Sequence, residues 1–170
     1  MSENKPFVAI MMGSDSDLPV MRSTMEVLDS FSIAKEVKIT SAHRTPEATR
    51  AYIKDAESRG CAVFVAAAGL AAHLAGAVAA TTTKPVIGVP LDAGPLSGID
   101  ALLATVQMPG GIPVGCVAVG KAGAKNAAYL AAQILALQDA ELAETITAER
   151  EQMTRTVLQK DAALQEQLTG

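Results

Sequence analysis

Five short apolar runs, each followed by a segment of helical spacing, constrain this chain more than any other feature. The runs are Phe7–Met12, Glu36–Thr40, Ala62–Ala67, Pro85–Val89 and Val114–Val119; the helical segments are Leu18–Leu28, Pro46–Arg59, Ala71–Thr81, Gly98–Gln107 and Ala124–Gln138. Runs of this length suit strands covered on both faces. Strand and helix in strict alternation predict an α/β fold, a parallel sheet wrapped by helices. At 170 residues the chain is long enough for one domain and short for two, with a core at about 7–138 and a further helix at about 139–168. The makeup is 49% hydrophobic but only 3% aromatic, so the interior must be built from Ala, Val, Leu and Ile, and disorder is excluded.

Several boundaries carry local reasons. Ser16 or Asp17 is placed to cap the first helix, with Pro19 close behind where its missing N–H costs nothing. Thr45-Pro46 repeats the arrangement for the second helix, with Glu47 favoured in its first turn. Gly60 is a natural stop, and Pro109 to Pro113, with Gly110 and Gly111 inside, must be a loop. After about Asp139 the pattern becomes a long polar helix on which Leu142, Met153 and Leu164 recur, as do Ile146, Val157 and Leu168, at eleven-residue spacing. That narrow stripe predicts an arm lying across a neighbouring subunit; fraying into solvent is the alternative. The Ala-rich helices, whose small side chains allow close approach, also point to an oligomer.

Charge and cysteine usage remove several function classes. A formal net charge of −4 provides no basic field for a phosphodiester backbone, so nucleic acid is not an expected partner. Cys61 and Cys116 sit in apolar runs without metal or C-x-x-C spacing and read as buried reduced thiols. The stretch from Met1 to Met12 is a poor signal peptide, because its apolar part is short and Asp15 and Asp17 follow. Cys61 to Ala80 is uncharged and about as long as a bilayer span, but its Ala and Gly content argues against membrane insertion. A cytoplasmic protein is the expectation.

In an open parallel sheet, ligands bind beyond the carboxyl ends of the strands. Gly13-Ser14-Asp15-Ser16-Asp17 follows the first run, Ser41-Ala42-His43-Arg44-Thr45-Pro46 the second, and Gly69-Leu70-Ala71-Ala72-His73-Leu74-Ala75-Gly76 the third, so both histidines fall on this edge. The first loop sets hydroxyls and amides at a helix amino end, a ready anion site, although Asp15 and Asp17 would repel phosphate unless turned elsewhere. A carboxylate there suits ribose hydroxyls; a plain capping loop is the simpler reading. In the second loop, Arg44 suits charge-assisted bonds to phosphate and Ser41 adds a hydroxyl, while His43 is a proton carrier for neutral pH. Together these two loops describe a pocket for a nucleoside monophosphate. The third loop, around Gly69, His73 and Leu74, is nearly all Ala and Gly, which suits a small nonpolar species; His73 reads equally as structural. No ligand spacing implies a metal.

The ordered motifs Gly-Ser-Asp-Ser-Asp at 13–17, Ser-Ala-His-Arg-Thr-Pro at 41–46, Ala-Ala-His-Leu at 71–74, Leu-Ser-Gly-Ile-Asp-Ala-Leu-Leu at 96–103, Val-Gln-Met-Pro-Gly-Gly-Ile-Pro-Val at 106–114 and Lys-Asn-Ala-Ala at 125–128 resemble the 5-(carboxyamino)imidazole ribonucleotide mutases of de novo purine synthesis. The resemblance runs from about Phe7 to Gln138. It implies a three-layer, flavodoxin-like fold, a homo-octamer, and neither metal nor organic cofactor. It also implies a reaction that moves a carboxylate from the exocyclic nitrogen to ring carbon C4, through trapped CO2. By position, His43 matches the family's general acid and base, Ser14, Asp17 and Arg44 match residues that hold the ribose phosphate, and His73 matches the pocket's second histidine.

The chain departs from the family's pattern at Leu70, often Gly, at Ala75, usually Pro, and across Leu91-Asp92-Ala93-Gly94-Pro95. Leu70 is expected to narrow the pocket. A related branch carboxylates aminoimidazole ribonucleotide directly with CO2; it typically has Lys at the position of Arg44 and lacks the second histidine, so Arg44 and His73 favour the mutase. A non-catalytic flavin or nucleotide carrier on the same fold is the alternative of another class, disfavoured because only Tyr52 stands near these loops to stack on a flavin. A phospho-accepting regulatory domain is weaker still, because the third run ends in Ala66-Ala67-Ala68 with no acceptor Asp.

Overall fold

The computed structural model describes residues 6–169; residues 1–5, part of the stretch read above as a poor signal peptide, and residue 170 lie outside the described residues. Strand β1 (Phe7–Met12) leads through a 3-10 turn (Asp15–Asp17) into helix α1 (Leu18–Ser30). There follow β2 (Lys35–Ile39), α2 (Pro46–Ser58), β3 (Cys61–Ala68), α3 (Leu74–Ala79), β4 (Val86–Pro90), α4 (Ile99–Val106), β5 (Gly115–Cys116), α5 (Gly120–Ala136) and α6 (Ala140–Thr169). The five strands form one sheet in the order β2-β1-β3-β4-β5, and every pair is parallel. Ile10 of β1 is in register with Val37 of β2 on one side and Val65 of β3 on the other.

The layers follow from the pleat, because successive side chains of a strand point to opposite faces. Val8, Ile10 and Met12 of β1 join Val63, Val65 and Ala67 of β3 on one face, under Met21 and Leu28 of α1 and the alanines of α5. Phe7, Ala9 and Met11 join Phe64 and Ala66 on the other, against Ile53 and Ala56 of α2 and Leu74 and Val78 of α3. The result is the three-layer, flavodoxin-like α/β fold. Its interior is less uniformly aliphatic than the composition predicts: Phe64, Met11, Met12 and Met21 are among the largest fully buried side chains.

Four expectations need correction. Strand β2 is not covered on both faces: it is an edge strand with Val37 43% and Ile39 54% exposed, and its charged Lys35, Glu36 and Lys38 keep that edge hydrated. Strand β5 is reduced to Gly115–Cys116, because it has only β4 as a neighbour and the chain then turns into α5. Cys116 is half-buried, whereas Cys61 is fully buried and its thiol is pushed up to about 11 by that burial. The small face of α5 is used inside the chain: Ala124, Ala127, Ala128, Ala131 and Ala132 are buried, and Thr24 Oγ1 of α1 donates to the Ala124 carbonyl at 2.7 Å.

The capping expectations are met only in part. Ser14, rather than Ser16 or Asp17, caps the 3-10 turn, and Asp17 precedes α1 without a side-chain cap bond. Thr45 precedes α2 without one either, since its hydroxyl is turned back to Ser41. Gly60 ends α2 as expected, at φ 99°, a conformation that a Cβ disfavours. No described helix is long and apolar enough to cross a membrane; Cys61 to Ala80 divides into β3, a loop and α3. In α6, Leu142 is buried and Ile146 packs against the core, whereas Met153, Val157, Leu164 and Leu168 are exposed.

Candidate active site

Because strand order reverses between β1 and β3, their carboxyl ends open a crevice rather than a continuous surface. The loops after β1, β2, β3 and β4 converge on it and enclose a cleft of about 430 Å³. Ser14, Asp17, Ser41, His43, Arg44, Gly69 and Leu74 all line this cleft. His73 does not, but its Nδ1 lies 2.7 Å from Nε2 of His43, with the rings nearly perpendicular at 77°. Every residue singled out from the sequence therefore belongs to one constellation, although His43, Arg44 and His73 are exposed in the single chain.

The first loop folds its acids inward. Asp17 Oδ2 accepts the Ser14 N–H at 3.0 Å, and Asp15 Oδ1 accepts the Ser16 N–H and the Ser14 hydroxyl, each at 3.0 Å. Two amides expected to bind an anion are thus already occupied, and the element they open is a 3-10 turn of three residues. Burial pushes the Asp17 carboxyl above its ordinary value, opposed by the hydrogen bonds from Ser14, Ser16 and Gly13. The hydroxyls of Ser14 and Ser16, 2.9 Å apart, and the Asp17 carboxyl group are the polar groups this loop brings to the cleft.

The second loop is held by a hydroxyl relay. Thr40 and Thr49, both buried, share a hydrogen bond of 2.6 Å, and Thr45 Oγ1 accepts the Ser41 N–H at 2.9 Å. Ser41 Oγ accepts the Arg44 N–H at 3.1 Å, which closes the turn that carries His43 and Arg44. The guanidinium of Arg44 is the cation among the cleft's lining residues. The rest of the lining is largely apolar: Ala42, Ala68, Leu70, Ala71, Leu74 and Ala93.

Ala93 was not anticipated as a site residue. The signal was present, since 91–95 follows the fourth apolar run on the same edge, but the loop has no polar side chain except Asp92 to draw attention. Among the described residues no group of three or more His, Cys, Asp or Glu side chains is placed to hold a metal ion.

The profile of the AIR carboxylase family matches residues 7–156. The N5-carboxyaminoimidazole ribonucleotide mutase of Thermotoga maritima is 50% identical over 161 residues, covering 95% of this chain and 93% of the relative. That of Vibrio cholerae is 49% identical over 151 residues, covering 89% of this chain and 94% of the relative. The crystal structure of Treponema denticola PurE superposes with a TM-score of 0.86 at 30% identity, over 94% of this chain and 99% of that one. With its sheet order, its cleft and a match that spans nearly all of its length, the chain belongs to the AIR carboxylase family.

Proposed function

We propose that this protein is an isomerase of purine biosynthesis that converts 5-(carboxyamino)imidazole ribonucleotide into 4-carboxy-5-aminoimidazole ribonucleotide. The observation that carries this reading is the convergence of one imidazole, one guanidinium and a nonpolar wall on a single cleft. Arg44 and the hydroxyls of Ser14 and Ser41 hold the ribose phosphate, and the Asp17 carboxylate accepts ribose hydroxyls. Gly69 and Leu74 line the heterocycle's side.

His43 gives a proton to the carbamate nitrogen as the nitrogen–carbon bond breaks; the bonding pair stays on nitrogen and CO2 leaves. Ring carbon C4 then attacks CO2 to form the new carbon–carbon bond, and its proton returns to His43. Proton and carboxylate are both conserved, so the reaction is a net isomerisation. Confinement supplies much of the rate, because a captive molecule reacts at an effective concentration that bulk CO2 never attains. Water would hydrate the intermediate and solvate the imidazole, and the alanine and leucine wall keeps it away.

A homo-oligomer, an octamer by family resemblance, fits the surface left by the single chain. Ile99, Leu103 and Val106 of α4, four and three residues apart along one face, are 61%, 53% and 46% exposed, and Met153, Val157 and Leu168 of α6 add a second apolar stripe. The open side of the cleft would be closed by such a neighbour.

The test is a direct assay with the carbamate nucleotide, with and without added bicarbonate. Bicarbonate-independent formation of the C4-carboxylated product supports the mutase. Turnover of aminoimidazole ribonucleotide that requires bicarbonate, with none of the carbamate, would identify the direct carboxylase instead. A protein that carries a bound flavin and turns over neither would support the carrier.

A further inference from the structure

The loops after β3 and β4 interlock at the mouth of the cleft. Leu70 is a non-glycine residue in the left-handed region, at φ 55°, a conformation that costs energy for any side chain with a Cβ. Its side chain is docked on Gly94, itself at φ 77°; a Cβ at Gly94 would overlap Leu70 Cδ2. The contact is reciprocal, for a Cβ at Gly69 would lie 2.7 Å from the Cβ of Ala93. A backbone bond from the Leu91 N–H to the Ala68 carbonyl, 3.0 Å long, ties the bases of the two loops together. Leu70 and Ala93 both line the cleft, yet Leu70 remains half-exposed and is absent from the buried core. A strained apolar residue that contributes no core packing, held over a cleft by a matching glycine, is placed for a local task.

We infer that Leu70, seated on Gly94, is a retention residue: it roofs the nonpolar side of the cleft and holds the small uncharged intermediate there until the ring recaptures it. This rests on the mutase reading above. The Leu70 side chain lines the cleft but has no donor or acceptor to offer a phosphate or a ribose, so its effect falls on the fate of CO2 rather than on nucleotide binding.

The experiment supplies substrate with an isotopically labelled carbamate carbon in unlabelled bicarbonate and measures how much label reaches C4. The parent protein retains most of it. L70G removes the roof and, since glycine adopts φ 55° freely, relieves the strain; the ratio of lost to retained label rises about tenfold, the scale of removing apolar contact from a pocket. KM stays within about twofold and the thermal midpoint does not fall, because no polar substrate contact and no core packing are lost. L70M, which keeps the volume, retains label like the parent. G94A unseats Leu70 and raises the loss as L70G does, but adds nothing in the L70G background, since the two act through one contact. A parent protein that leaves the carbamate nucleotide unconverted would overturn the functional reading and this inference with it. A working mutase whose L70G variant retains label like the parent, or in which G94A and L70G add, would overturn this inference alone.

Discussion

Nε2 of His43 lies 2.7 Å from Nδ1 of His73, although the two residues are 30 positions apart and follow different strands. One nitrogen must donate and the other accept, so each ring determines the tautomer of its neighbour. His43 is thereby held by the turn of its own loop and by a partner from across the crevice. For His43→Asn we expect nucleotide affinity to persist while kcat falls by about 10²–10⁴-fold, the range of a lost general acid and base. Steady-state kinetics together with calorimetric titration of the product check this; near-normal turnover would remove His43 from proton transfer.

We propose that His73 is a positioning residue that acts through that bond. His73→Phe should lower kcat by about threefold to tenfold, the worth of one net hydrogen bond, and leave KM nearly unchanged. His73→Asn, which retains a donor and an acceptor, should recover part of the loss. A change confined to KM would assign His73 to substrate binding instead.

Asp17→Asn separates stability from binding. Burial raises the Asp17 carboxyl, so the folded protein holds its proton more tightly than the unfolded chain does. The group's stabilising contribution is present at low pH and is lost as pH rises through its folded value. Asparagine removes the buried charge and keeps an oxygen to accept the Ser14 N–H, so the variant should melt above the parent at neutral pH, with the difference shrinking on acidification. Its affinity for the ribonucleotide should fall. Thermal scans across the acid range and a binding titration test both halves.

Tyr129 anchors the last helix. Its hydroxyl donates to Glu149 Oε1 at 2.7 Å, and burial, then the bond to Glu149, pushes the phenol up to about 12. Among the described residues the other oxygen of Glu149 is buried without a hydrogen-bond partner, so Tyr129→Phe would take away the bond to Oε1 as well. The expected cost is about 1–3 kcal/mol. A raised phenol stabilises the fold below its unfolded value of 10.0, and that contribution disappears as pH rises through about 12. Denaturant titration of parent and variant should therefore converge over that alkaline window.

The exposed stripe of α6 makes the assembly testable. Light scattering should give a mass about eight times the 17.5 kDa of the chain. The double substitution Met153→Asp and Val157→Asp, at side chains 46% and 65% exposed in the single chain, should dissociate that species and leave the single chain folded by circular dichroism. An undiminished mass would remove α6 from the interface.

The amino-acid sequence by itself determined the elements and the edge on which chemistry collects. Apolar runs such as Phe7–Met12 and Cys61–Ala68, broken by Gly60 and by Ser-, Asp- and Pro-bearing turns, are recognisable because periodicity and turn chemistry are properties of near neighbours. Ser14, Ser41, His43, Arg44 and Gly69 stood out for the same reason: each directly follows a run. What only the tertiary structure decided is non-local. Strand order placed β1 beside β3, and that order brought His43 to His73 and the loop at Gly69 and Leu70 against Ala93 and Gly94. It also left β2 and β5 at the edges, where one missing neighbour exposed Val37 and Ile39 and shortened the last strand. Local spacing says which residues reach the end of a strand. Which of them meet there depends on packing between segments far apart in the chain, where small side chains and bare glycines let two loops close on each other.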